Sequence, residues 1–205
     1  MRISLLFMPA LLVCCQLAGQ PTGSFKPFVI DTTLNSKLAK AKLQSEFDLP
    51  MIDNGFWFLT DANDFKEFSG STDPAIFLDT LQTYSDVVCD CMMNGDTIYL
   101  QGGIGYVGSI AFDVRIAGNL FNGRIALAGK GFRTDQSAEF IKEIYLNSVN
   151  QQLKIQSRDS LQFEKQTTGE FILETENYYE KGEPQPNKLY MKVLFRCKLD
   201  DVIVI

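Results

Sequence analysis

Three glutamates, Glu170, Glu174 and Glu176, stand four and two residues apart in one run of alternating character. Paired carboxylates are the means by which glycosidases supply a general acid and a second carboxylate, so these three are the candidates for a carboxylate-based glycan hydrolase. The same spacing also describes a solvated acidic strand face, because side chains two or four apart along a strand point the same way. The chain contains no histidine. That removes Ser-His-Asp and Cys-His nucleophile systems, His-containing zinc sites and the kinase catalytic loop, leaving carboxylate, lysine and tyrosine chemistry or an all-oxygen calcium site.

Two further strings look like sites. Asp61, Asn63 and Asp64 match the start of a calcium loop, but Phe65 and Lys66 stand where the next oxygen ligand and the glycine are required, so a helix cap or turn is expected. Gly103-Ile104-Gly105-Tyr106-Val107-Gly108 matches the dinucleotide fingerprint. That motif works only where its glycines open a helix and an acid follows about 20 residues on. Here it leads into the alternating run Ile110, Phe112, Val114, Ile116, with no acid between Asp113 and Asp135. Glycines that bend or bulge a strand are expected instead, with no cofactor and no metal.

Of the five cysteines, Cys14 and Cys15 fall in the leader and Cys89, Cys91 and Cys197 in the remainder. Cys89 and Cys91 sit two apart on one strand face, too far for an easy mutual bond. A disulfide from Cys89 or Cys91 to Cys197 is therefore expected, with three buried thiols as the alternative. Phe56, Trp57, Tyr106 and Phe112 are candidate lining for an apolar ligand, and equally good core residues.

The elements that position these residues are mostly strands. Leu189, Met191, Val193, Phe195, Cys197 and Leu199 alternate with Lys188, Tyr190, Lys192, Leu194, Arg196 and Lys198, which predicts a sheet covered on one side, its other face mostly cationic. The run from Gly169 puts Phe171, Leu173 and Thr175 opposite the glutamates, and Glu180–Asn187 reads as an exposed loop. Asn94-Gly95 predicts a two-residue hairpin that sets Cys91 against Ile98 and Cys89 against Leu100. Asn119–Gly123 predicts another turn, and Asn150-Gln151 a third, between the runs 144–146 and 153–155. Upstream, Ser24–Ile30 reads as extended. Leu34–Phe47 reads as an amphipathic helix capped by Thr32 or Thr33, and 51–68 as mixed strand and turn. Asp73-Pro74 starts a second helix through Tyr84, and Val202–Ile205 reads as an addition to the sheet.

Arg2 followed by a short apolar run predicts an export signal over residues 1–20, with lipidation at Cys14 or Cys15 as the alternative. Residues 21–205 are expected to form one β-rich domain, helical or irregular over 31–85 and sheet over 86–205. The fold class expected is mainly β, an antiparallel sandwich or barrel with one or two N-terminal helices. Loss of Arg2 takes the net charge of −6 to −7, which argues against nucleic acid as a partner. No later run is long and apolar enough for a transmembrane helix.

Gly169-Glu170-Phe171, Tyr178-Tyr179-Glu180-Lys181, Lys188-Leu189 and Phe195-Arg196-Cys197-Lys198 together resemble the C-terminal half of uncharacterised exported proteins of Bacteroidetes-type bacteria. The resemblance covers about the last 115 residues, from Cys89-Asp90-Cys91 onward. It implies a periplasmic, outer-membrane-associated or secreted protein and brings no site residues with it. The function expected is a non-enzymatic binding or structural module of the envelope, its partner a protein, a glycan or a small apolar ligand. A lipocalin-like barrel and a carboxylate hydrolase are the alternatives.

Overall fold

The computed structural model describes residues 24–44, 54–62, 64, 73, 78, 85–104 and 109–201, with the backbone alone for 41–44, 54, 56, 57, 85, 86, 104 and 201. The elements are β1 (Lys26–Pro27), β2 (Val29–Ile30), α1 (Leu34–Gln44), β3 (Asn54–Asp61), β4 (Ser85–Asn94) and β5 (Thr97–Ile104). They continue with β6 (Ser109–Ala117), β7 (Leu120–Arg133), β8 (Ile141–Ile155), β9 (Gln166–Thr175), β10 (Tyr179–Glu180) and β11 (Leu189–Asp201). The protein is mainly β, as its alternating runs require. Its strands make one large mixed sheet in the order β1-β7-β6-β5-β4-β3-β11-β9-β8-β2, and β7 pairs with β8 as well. Neighbours can therefore be followed from β7 through β6, β5, β4, β3, β11, β9 and β8 back to β7. Most pairs are antiparallel; β2 runs parallel to β8, and the end of β11 parallel to β4.

The expected pairing of the last two long strands is present. β9 and β11 run antiparallel, with Phe171 opposite Val193 and Gly169 opposite Phe195. Their inward faces join the core with Phe112, Phe121, Leu146 and Leu153, all fully buried. A Cβ at Gly169 would collide with the Phe195 ring and lie 3.0 Å from the Lys154 carbonyl. Gly169→Ala is expected to destabilise by about 1–3 kcal/mol, the usual range for overpacking, with an unchanged strand signal in circular dichroism. Denaturant titration beside the parent chain measures it.

Several turns differ from their expected places. The β4–β5 turn is Gly95-Asp96, with Asn94 opposite Thr97 and Gly95 at φ 58°. Cys91 therefore faces Leu100 and Cys89 faces Gly102, a shift of two residues from the expected register. Because the strand period is two, the shift leaves both sulfurs inward. The β6–β7 turn falls at Gly118-Asn119, with Asn122 and Gly123 inside β7. Asn150-Gln151 is not a turn. β8 passes straight through it, and the register slips between Ser148 and Asn150, so a bulge stands where a hairpin was expected. Polar residues accumulate there because the seam between β7 and β8 opens. Gln151 Oε1 accepts the Gly123 N–H at 2.8 Å, and its Nε2 donates to the Ser24 carbonyl at 2.9 Å. The segment 24–30 fills the opening, with β1 on β7 and β2 on β8.

The aromatic stretch after residue 51 supplies β3, which lies inside the sheet between β4 and β11. The second helix expected over 73–84 and the segment Val202–Ile205 lie outside the described residues, except Asp73 and the buried Leu78.

α1 packs against β9 on the outer side of the sheet, with Leu34 and Leu38 buried. Thr33 does not cap it by its side chain. Its hydroxyl is turned back to donate to Asp31 Oδ1 at 2.6 Å, and the Asn35 N–H is satisfied by Gln156 Oε1 at 3.1 Å. Gln156 also donates to the Thr32 carbonyl at 2.8 Å, so a residue just past β8 fastens the start of the helix to the sheet.

Candidate functional site

The chemistry-bearing side chains of this fold gather on the outer face of β9 and β11, beneath α1. Glu170 and Lys192 project from neighbouring strands, Lys154 comes from β8, and Lys37 reaches down from the helix. Lys154 Nζ lies 2.8 Å from Glu170 Oε1. Lys192 Nζ and Lys37 Nζ lie 3.5 and 3.7 Å from Oε2. The Glu170 side chain is 1 % exposed and that of Lys192 2 %. Alternation dictates that these residues face away from the inner core; α1 packs on β9 there, and its Lys37 reaches the Glu170 carboxylate. One carboxylate thus sits among three ammonium groups, and Lys37 carries the network on to Asp31 Oδ2 at 3.1 Å.

Beside this cluster, Asn35 Oδ1 accepts from Thr168 Oγ1 at 3.1 Å and from Arg196 Nη2 at 3.0 Å. The outer face of β11 is therefore not the open cationic face expected. Lys192 and Leu194 are both buried, on a face that alternation alone leaves to water. Glu170 is likewise not a solvated glutamate.

The Thr33 hydroxyl first, with the Thr33 N–H and Lys37, holds the Asp31 carboxyl down at about 2, below its ordinary 3.8, against burial, which pushes it up more than either the N–H or the hydrogen bond from Lys37 pulls it down. A carboxyl depressed on folding stabilises the fold above its unfolded value and loses that contribution as pH falls through the folded one. The Asp31 contribution is therefore complete above about pH 4 and fades toward pH 2. Its size is about 1–2 kcal/mol once partial exposure is allowed for. Asp31→Ala should be less stable than the parent at pH 6, and the two should converge near pH 2 in urea titrations.

Glu170 is not brought to Glu174: Cα atoms four apart on a strand are about 13 Å apart, beyond the roughly 5–10 Å between the carboxyls of glycosidase pairs. Each of the three candidate glutamates has its own partner. Glu174 Oε1 takes Lys188 Nζ at 2.7 Å, and Glu176 Oε1 accepts the Asn147 N–H at 2.8 Å and its Nδ2 at 3.1 Å.

Asp61 accepts the Asp64 N–H at 2.9 Å, the cap or turn expected of it. Gly103 and Ile104 end β5, which pairs with β6 as far as Ile104 opposite Ile110. The glycine string thus joins strand to strand and lacks the helix that dinucleotide binding requires. Gly105–Gly108, Tyr106 included, lie outside the described residues, as do the side chains of Phe56 and Trp57. Phe112 is a core residue, fully buried opposite Gly102.

Cys91 and Cys197 lie at disulfide distance, with Cα atoms 5.6 Å apart and a sequence separation of 106. Of the two expected partners it is therefore Cys91 that stands within bonding reach of Cys197, and Cys89 is a buried thiol. Near the opposite end of the sheet Tyr178 packs edge-on to Phe132 at 6.1 Å, and burial, with Glu180 and Asp61 nearby, pushes its hydroxyl up to about 12.

Sequence reasoning missed the Glu170 cluster, which Lys154 joins from the apolar run Leu153-Lys154-Ile155. It also missed Arg133, whose guanidinium stacks over Phe140 at 4.3 Å and faces Tyr179 at 5.5 Å. A closer reading of the lone lysine inside an apolar strand run could have raised the first. No helix among the described residues is long and apolar enough to cross a membrane. No protein-family model matches the chain, and no match was found among curated proteins or among solved structures.

Proposed function

We propose that this chain is an exported module of a bacterial cell envelope or its surroundings. It braces or binds other macromolecules through its outer surface, and its interior is occupied by its own side chains. The observation that carries the reading is the filled centre. Phe112, Phe121, Phe171 and Phe195 are all fully buried in one cluster, with Phe121 and Phe171 edge to face at 6.2 Å. The order of strands leads from β7 round to β8, which pairs with β7 again, and this supports our reading of an eight-stranded closed arrangement, a size at which side chains can fill the bore.

A lipocalin-like protein of the same strand count would instead keep a cavity, and Phe112, one of its four candidate lining residues, packs here as core. The hydrolase alternative keeps no pair with Glu170, which sits among three lysines, while Glu174 and Glu176 each hold a partner of their own. Export is supported by the leader pattern of residues 1–20, by the resemblance to exported Bacteroidetes-type proteins, and by the Cys91–Cys197 pair, a bond that persists in oxidising compartments.

Cell fractionation with intact-mass analysis after alkylation tests the reading. A leaderless species with one disulfide and one alkylatable thiol in the periplasmic, outer-membrane or secreted fraction is expected, with or without an acylated cysteine. A full-length, fully reduced species confined to the cytoplasm would overturn it.

A further inference from the structure

The pairing of β7 with β8 ends at Arg124 opposite Asn147, and beyond it the two strands take residues 24–30 between them. This seam is built to hold a backbone. Asn122 and Gln151 are both buried, and each aims a side-chain N–H at the Ser24 carbonyl, at 3.3 and 2.9 Å. The Phe28 N–H donates to the Asn119 carbonyl at 3.2 Å, and the Asp31 N–H to the Ile155 carbonyl at 3.0 Å. If the segment left with nothing in its place, the two buried amides would lose their acceptor, a cost that folded proteins rarely bear. The seam therefore requires an occupant.

The present occupant is lightly held. Of the seven side chains from Ser24 to Ile30 only that of Phe28 is buried, joining the core with the Arg158 guanidinium 5.8 Å from its ring centroid. The strand pairings on each side are two residues long, Lys26 and Pro27 with Phe121 and Leu120, then Val29 and Ile30 with Lys154 and Ile155. Phe25, Val29 and Ile30 are exposed, as are Leu120, which stands opposite Pro27, and Val149 at the β8 bulge two residues before Gln151. These are five of the nine large apolar side chains exposed among the described residues, gathered at one seam. Clustering of this kind marks an interaction face.

We propose that the seam is a strand acceptor, that residues 24–30 are its exchangeable occupant, and that the partner is a second copy of this chain. Two copies meet seam to seam and each lends its segment to the other. The contacts of 24–30 are then kept, and the apolar side chains around both seams are covered in a closed two-fold pair. Because the contacts are the same within one chain and between two, the balance turns on effective concentration, about millimolar for a short tether, and exchange appears at about that protein concentration. This pairing needs only the seam and does not depend on where the protein resides.

The leaderless full chain, isotope-labelled, and an unlabelled peptide of residues 24–31 test it by NMR without any substitution in the protein. With the peptide at about millimolar excess the Phe28 and Asp31 amide signals are expected to move to disordered positions. That of Gly123, bonded to Gln151 and not to the segment, should stay in place. A peptide carrying Phe28→Ala should be needed in at least about tenfold greater amount, since the one buried anchor is lost. Light scattering of the chain alone is expected to show dimers at about millimolar concentration and monomers once the peptide is in excess. Phe28 and Asp31 signals that hold their place in saturating peptide would mean a fixed strand and overturn the proposal. So would a chain that stays monomeric, or dimers that the peptide leaves intact, since those would dock without exchange.

Discussion

Glu170→Gln is expected to lower the unfolding free energy by about 3–5 kcal/mol, the usual cost of removing one partner from a buried ionic group. The loss is large because the carboxylate is shared. Lys154, Lys192 and Lys37 all lie within 3.7 Å of its oxygens, and Lys192 cannot turn to water without lifting what covers it. Glu174→Gln provides the contrast. Its pair with Lys188 is 2.7 Å long but both side chains are more than a fifth exposed, so about 0–1 kcal/mol is expected. Urea unfolding of the two variants beside the parent chain measures both. Equal effects would mean that the Glu170 cluster is solvated and that α1 does not cover it.

The second large effect is expected at the disulfide. Breaking a bond that closes 106 residues releases unfolded-state entropy worth on the order of 4–5 kcal/mol in the chain-entropy model. Cys91→Ala and Cys197→Ala should each cost most of that, and the double variant little more than either single, since one bond is lost in all three. Cys89→Ala removes only a buried thiol and should cost about 1 kcal/mol. A large effect at Cys89 with none at Cys91 would give the bond to the other expected pair. The same set of variants separates this question from the Glu170 cluster, because the inward-facing sulfurs and the outward-facing carboxylate lie on opposite faces of the sheet.

Much of the inner face was legible from the sequence. Period-two alternation in 189–199 and from Gly169 marked the strands, their inward residues and the inward cysteines, since one buried face is enough to fix a register. The Asn94-Gly95 signal gave the hairpin but misplaced its turn by one residue, because Gly95-Asp96 serves equally well and the face pattern does not distinguish registers two apart. The outer face was not legible. Whether Glu170 meets water or a helix depends on where α1 docks, and that is set by Gln156, Thr168 and Arg196 meeting its first turn from positions over 120 residues away in the chain. The continuous β8 was hidden for a related reason. Asn150 and Gln151 look like turn residues, but Gln151 is polar because it must satisfy Gly123 and Ser24 across an opened seam.

The central claim is that the interior of this sheet is filled by its own side chains and that recognition belongs to the outer surface. Native mass spectrometry of the leaderless protein, followed by the same sample denatured, tests it most directly. A native mass equal to that of the chain, or to a whole multiple of it, is the result predicted. Extra mass of a few hundred daltons that disappears on denaturation would mean a small molecule held within, and would contradict the account in favour of a ligand-carrying barrel.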